Sequence, residues 1–199
     1  MSSDYRSSHP VASSDQRSRT VVVTAHCFLN QNAKLEGLAQ FPGMIHEVVT
    51  IIQQSGSGVL QLPCPEMLYE GIGRFDKSIE QYRCAAFVRI CTDIARDAVD
   101  QVQNYLQWDY SVPAFLTADG SPSCGLTKSQ SAPEWRGSVT NKPWTPARYL
   151  NEPGILTSLL QEELRVRGIT IPFIAFPETP ELGDFQTSLG KLKSLLMVK

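Results

Sequence analysis

The chain has no apolar run near the roughly 20 residues that a bilayer-spanning helix needs, so no membrane partner is predicted. Its N-terminus has no apolar core of the kind a secretion signal carries. Basic residues do not outnumber acidic ones: 18 Lys and Arg stand against 20 Asp and Glu. No general positive field therefore draws the chain to a nucleic-acid polymer or an anionic surface. No Gly-x-Gly-x-x-Gly follows the first strand-like run, and no Gly-x-x-x-x-Gly-Lys-[Ser/Thr] occurs, so neither a dinucleotide fingerprint nor a P-loop is indicated. No internal repeat is visible. Histidine is scarce, at three, and cysteine is few and odd in number, at five. The cysteine spacing is not that of a small secreted disulfide scaffold, so a reducing cytoplasm with free or metal-bound thiols is expected.

What is present suits one α/β domain, with 42% hydrophobic and 19% charged residues in a chain of 199. Residues 1–19 are Ser-rich, without apolar periodicity, and read as a disordered tail ahead of a domain over 20–199. Asp4, Asp15 and the missing apolar face argue against a transit peptide. Residues 21–23 are β-branched and wholly apolar, as a strand covered on both faces should be. Met44, Ile45, Val48, Val49 and Ile52 recur at helical spacing up to a stop at Ser55-Gly56. A second strand is read at 59–62, followed by a loop that carries Cys64, Glu66 and Gly71-Ile72-Gly73-Arg74. One long helix is predicted over 78–106, its stripe made by Phe87, Ile90, Ile94, Ala98, Val102 and Tyr105. Further strands are read at 112–116 and 169–176, the second at an edge or irregular position because of Pro172, and helices at 155–164 and 182–197. Residues 128–153, with Trp135, Trp144 and Tyr149, read either as a binding lid or as a surface excursion pinned by its tryptophans. The alternation predicts a Rossmann-like open, mostly parallel sheet with helices on both faces.

Three cysteines fall just past strand ends. Cys27 follows the first strand, Cys64 the second, and Cys124 closes the Gly120-Ser121-Pro122-Ser123 turn after the third. The carboxyl ends of parallel strands share one edge, where ligands bind, so the three thiols are expected to converge there. The exit loop of the last strand, Pro177-Glu178-Thr179-Pro180, reaches the same edge. Three thiolates can hold three irons of a cubane cluster with the fourth iron open, or a zinc ion with one position for water. His26 could close a zinc site or be an ordinary loop histidine. Glu66 could act as a general base, or as a charge at the start of the next helix. Ser121 and Ser123 could donate to a polar substrate or cap the turn. Cys84 and Cys91, seven apart on the long helix's apolar stripe, read as buried core thiols.

The set Cys27-Phe28-Leu29-Asn30, Cys64-Pro65-Glu66 and Ser121-Pro122-Ser123-Cys124-Gly125 resembles the DUF523 family, which includes the thiouracil desulfurases (TudS-type desulfidases). The likeness spans roughly residues 21–176. Its first motif, from His26 to Asn32, lacks the Leu-Gly and second cysteine and arginine of many members, as in a divergent TudS-related subgroup. The resemblance implies a [4Fe–4S] cluster on Cys27, Cys64 and Cys124, with Glu66 and Ser121 catalytic. It implies removal of sulfur, without net redox change, from a small thiolated base or nucleoside such as 2-thiouracil or thiouridine. The alternatives are a zinc hydrolase on the same three cysteines and a non-catalytic iron–sulfur sensor.

Overall fold

The computed structural model describes residues 15–138 and 145–197. Residues 1–14 of the expected tail, and Trp144, lie outside the described residues. Strands β1 (Val21–Thr24), β2 (Gly58–Gln61), β3 (Phe115–Asp119) and β6 (Phe173–Pro177) form an all-parallel sheet in the order β2-β1-β3-β6. Between the last two in sequence, β4 (Ser129–Ser131) and β5 (Arg148–Leu150) pair as an antiparallel ribbon. The helices are α1 (His46–Gln54), α2 (Pro65–Glu70), α3 (Ile79–Tyr82), α4 (Ala85–Gln107), α5 (Ile155–Val166) and α6 (Phe185–Met197).

Both faces of the sheet are covered, and the strand sequences show why. Side chains alternate sides along a strand. Val23 and Phe115 point into a core with α4 and α5, through Phe87, Ile94, Val99, Val102, Leu156 and Leu160. Val22, Leu116, Ile174 and Phe176 point into the opposite core, against Val48 and Ile52 of α1 and Leu189 and Leu192 of α6. The expected single α/β domain with a Rossmann-like parallel sheet is therefore present. Pro172 precedes an edge strand, as expected, and α1 ends at Ser55-Gly56. Among the described residues no helix is long and apolar enough to cross a membrane.

Four local expectations change. The long helix over 78–106 is two helices, broken at Arg83 and Cys84, where Cys84 takes an extended N-cap backbone. Ser78 and Gln81 close a capping box around the short α3. In one straight helix Tyr82 and Phe87, five apart, would stand about 140° apart. The break lets both rings enter the core, stacked at 4.2 Å between centroids. The third strand is Phe115–Asp119 rather than 112–116: Pro113 has no N–H for a ladder, and the continuous pairing with β6 runs from Phe115 to Asp119. The segment after Cys64, read as a loop, is the six-residue α2, with Pro65 in its first turn. The stretch 128–153 contains the β4–β5 ribbon, and the Trp135 indole donates to the Thr145 carbonyl at 2.8 Å across it.

Candidate functional site

The strand order turns outward in both directions from between β1 and β3. The carboxyl-end crevice at that point is the expected ligand position of such sheets. A cleft of about 650 Å³, counted to its open mouth, occupies it. Cys27, Cys64, Cys124, Glu66, Ser121 and Ser123 all line this cleft, together with His26, Lys34, Arg74 and Glu178.

Each cysteine is placed by its own turn. Cys27 lies in the 3-10 turn His26–Phe28. Phe28 anchors that turn in the core, edge-on to Phe176, and Gln31 Nε2 donates to the Cys27 carbonyl at 2.8 Å. Cys64 is the N-cap residue of α2. The two turns are tied: Gln61 Nε2 donates to the His26 carbonyl at 2.9 Å, and His26 Nδ1 lies 3.1 Å from the Leu62 carbonyl. That carbonyl can only accept, so Nδ1 carries the proton, and the buried Nε2 has no hydrogen-bond partner among the described residues.

Cys124 is held by a more elaborate turn. The buried carboxylate of Asp119, at the end of β3, accepts from the backbone N–H of Leu126 at 2.7 Å, Thr127 at 2.8 Å and Lys128 at 3.3 Å. Ser121 Oγ accepts from the N–H of Cys124 at 3.1 Å and of Ser123 at 3.3 Å. The start of α5 closes the back. Ile155 N–H donates to the Pro122 carbonyl at 3.1 Å, and Leu156 N–H to that of Ser123 at 2.9 Å. At Gly154 the contact is so close that a Cβ would fall 2.4 Å from the Ser123 carbonyl carbon.

Burial raises all three thiol pKa values. Cys27 is pushed up to about 12, chiefly by burial and then by the Glu178 charge. Cys124 is pushed well up by burial and then by Cys64, with Cys27 adding to it, and Cys64 is raised by burial and then by Glu66. The thiols are thus close enough for each new thiolate to oppose the next. Among the described residues no three His, Cys, Asp or Glu side chains gather tightly enough to hold one metal ion. A tetrahedral zinc would need three sulfurs at about 2.3 Å from a single point. A cubane binds each thiolate on a different iron and tolerates wider spacing.

Glu66 is buried beside the thiols. Its Oε1 accepts from Ser123 Oγ at 2.6 Å, and from Ser121 Oγ at 3.4 Å. Its Oε2 accepts from Arg74 Nε at 3.3 Å. The Arg74 side chain is only 2% exposed and also donates to the carbonyls of Ala33 at 2.8 Å and Gly71 at 3.3 Å. One guanidinium thereby joins the segment after Cys27 to the helix after Cys64. Arg74 was legible in the sequence only as part of a glycine-rich loop, with no spacing to mark it. Lys34, which pairs with Glu178 at 2.6 Å, had no signal at all.

The remaining cysteines separate. Cys91 is fully buried on α4, as expected, with its thiol pushed up to about 12 by burial. Cys84 is not a buried stripe residue. It is half-buried at the N-cap of α4, 3.3 Å from Tyr69 Oη, and that hydrogen bond followed by backbone N–H groups lowers its thiol pKa. All five cysteines are free.

No family model matches the chain, and no solved structure matches it. It is similar to an uncharacterized protein, MJ0003, of Methanocaldococcus jannaschii. The two are 29% identical over 114 residues, which cover 57% of this chain and 72% of that protein.

Proposed function

We propose that this chain is an iron–sulfur enzyme of the DUF523/TudS type that holds a [4Fe–4S] cluster on Cys27, Cys64 and Cys124. In this reading it converts the thiocarbonyl of a thiolated nucleobase or nucleoside, such as 2-thiouracil or thiouridine, to a carbonyl and releases sulfide. The observation that carries the reading is the meeting of three half-buried thiols, from three strand ends, in one cleft beside a fixed carboxylate. The donor set fits the group. Three desolvated thiols that oppose one another's ionisation gain most from a cationic core shared among them.

When bound, a three-cysteine cluster supplies an iron with an open position, a soft Lewis acid suited to sulfur. The rest falls to the chain. Glu66 takes a proton from the water that adds to the thiocarbonyl carbon and returns it to the departing sulfur. Water and a thiocarbonyl become a carbonyl and hydrogen sulfide, so no electron donor is needed. Ser123 and Arg74 fix the two oxygens of Glu66, and Ser121 shapes the turn around Cys124 and reaches toward the same carboxylate. This reading takes a small molecule as partner, not a nucleic-acid polymer, and a cytoplasmic setting.

The test is anaerobic reconstitution followed by iron, sulfide and zinc assays and by sulfide release from 2-thiouracil and thiouridine. Cys27→Ser, Cys64→Ser and Cys124→Ser are expected to lose the cluster, and Cys91→Ser to keep it. A full iron complement on Cys124→Ser would overturn the ligand assignment. A loaded protein that releases no sulfide from either substrate would leave an iron–sulfur sensor in place of an enzyme.

A further inference from the structure

The same cleft holds a second charged pair that the proposed chemistry does not use. Lys34 Nζ donates to Glu178 Oε1 at 2.6 Å, and the two side chains are only 12% and 23% exposed. They come from opposite sides of the crevice, Lys34 from the segment after β1 and Glu178 from the exit of β6. The Glu178 backbone is pinned, its N–H donating to the Asp119 carbonyl at 3.1 Å and its carbonyl accepting from Gln40 Nε2. Among the described residues only Lys34 hydrogen-bonds the Glu178 carboxylate. The other oxygen, Oε2, lies beside Gly120, where the chain packs so closely that an added Cβ would fall 2.6 Å from Leu182 Cδ1 and 3.7 Å from Oε2.

An ammonium has three N–H donors and a carboxylate can accept on both oxygens. With one bond between them, the pair still offers a donor and an acceptor side by side. The pair is neutral as a whole, and so is the lining around it, where Lys34, Arg74 and Lys77 stand with Glu66, Asp76 and Glu178. Its complement is an uncharged group with an N–H next to a carbonyl. We propose that Lys34 and Glu178 read the –NH–C(=O)– edge of a heterocyclic ring: Glu178 accepts the ring N–H, and Lys34 donates to the neighbouring exocyclic oxygen. This rests on the desulfuration reading for its site and deepens it by naming what is recognised besides sulfur. Burial raises the pKa of Glu178, so its anion gains from a further donor. A site built this way rejects an analogue that lacks the N–H, because its own buried groups are then left unpaired.

Binding to sulfur-free ligands tests the pair apart from the chemistry. Reconstituted protein is titrated calorimetrically with uridine against N3-methyluridine, and with uracil against 1,3-dimethyluracil. The N–H form of at least one pair is expected to bind roughly 10- to 100-fold more tightly, the range of a hydrogen bond to a charged group. Lys34→Met and Glu178→Leu, confirmed folded by circular dichroism, are expected to bind both forms within about two-fold. Equal affinity of the parent protein for both forms, no detectable binding of uridine or uracil, or discrimination that survives in the folded variants would each overturn the assignment. A merely steric effect of the methyl group gives the last of these outcomes. Sulfide release from thiouridine, measured on the same preparation, reports separately. Discrimination without sulfide removes the enzyme and keeps the recognition pair, and sulfide without discrimination does the reverse.

Discussion

Ser123 donates its hydroxyl to Glu66 Oε1 at 2.6 Å, whereas Ser121 meets the same oxygen at 3.4 Å. Ser121 instead uses its oxygen to accept the N–H groups of Ser123 and Cys124. The two serines of one motif therefore do different work, one on the carboxylate and one on the turn. Ser123→Ala is expected to load its cluster and to lower desulfuration by about 10-fold, through a less well aimed Glu66. Ser121→Ala is expected to cost about 1 kcal/mol of stability, as loss of a local backbone acceptor does. Rates and melting temperatures of the two variants check this, and a greater rate loss in Ser121→Ala, at normal loading, would return the catalytic role to Ser121.

Gly154 holds the same cysteine turn in place through packing. α5 approaches the cysteine turn with no room for a side chain, because an added Cβ would meet backbone atoms of Ser123 and Cys124 at 2.4 to 2.8 Å. Backbone cannot rotate away as a flexible side chain can. Gly154→Ala should destabilise the protein by roughly 1–3 kcal/mol, the usual range for overpacking. Displacement of the Cys124 turn should also reduce iron loading. Denaturant unfolding and an iron assay measure the two effects. A variant of parent stability and parent loading would show that the turn tolerates the displacement.

Much of the fold was legible because its causes are periodic. The strand at 21–23 is apolar on both faces, and α1 carries its stripe to a glycine stop, so pattern alone locates them. The convergence of Cys27, Cys64 and Cys124 followed from strand ends sharing an edge. What pattern could not show is pairing between distant single residues. Arg74 reaches Glu66 and Ala33 from a loop with no period. Asp119 was buried inside an apolar strand to gather three backbone N–H groups. The break at Cys84 hid because the residues on either side of it keep helical spacing.

Cys84 and Cys91 now invite opposite expectations. The Cys84 thiol is half-buried and lowered by Tyr69, whereas that of Cys91 is enclosed and raised to about 12. The thiolate is the reactive form, so native alkylation at pH 7.5 to 8 should label Cys84 well ahead of Cys91. The raised thiol also has a stability sign. A group with a higher pKa folded than unfolded lends stability that is intact below the ordinary thiol value of 9.0 and fades as pH climbs toward about 12. Cys91→Ala should therefore lose less stability than the parent protein across that window, whatever its cost at neutral pH. Peptide mapping of the alkylated protein and melting temperatures across the window decide both points; equal labelling of the two cysteines would contradict the environments described.

Glu66 carries the sharpest test, because its neighbours constrain what a substitution can mean. The carboxylate accepts from Ser123 on one oxygen and from Arg74 on the other. Glu66→Gln keeps the shape but turns one of those positions into an amide N–H facing a donor. Part of the buried pair is lost, although Arg74 retains the carbonyls of Ala33 and Gly71. A stability loss of about 1–3 kcal/mol is expected, below the 3–5 typical of stranding a fully buried charge. Cluster loading should persist, since the three thiols and their turns remain. The rate is a separate quantity. An amide cannot accept the proton of an attacking water, and loss of a general base costs about 10²- to 10⁴-fold. Iron content, melting temperature and sulfide release, measured on one preparation, separate these three effects. Normal loading with that rate loss supports Glu66 as the base. Parent-level turnover in Glu66→Gln would leave Glu66 an architectural role only, holding Arg74 between the Cys27 and Cys64 segments.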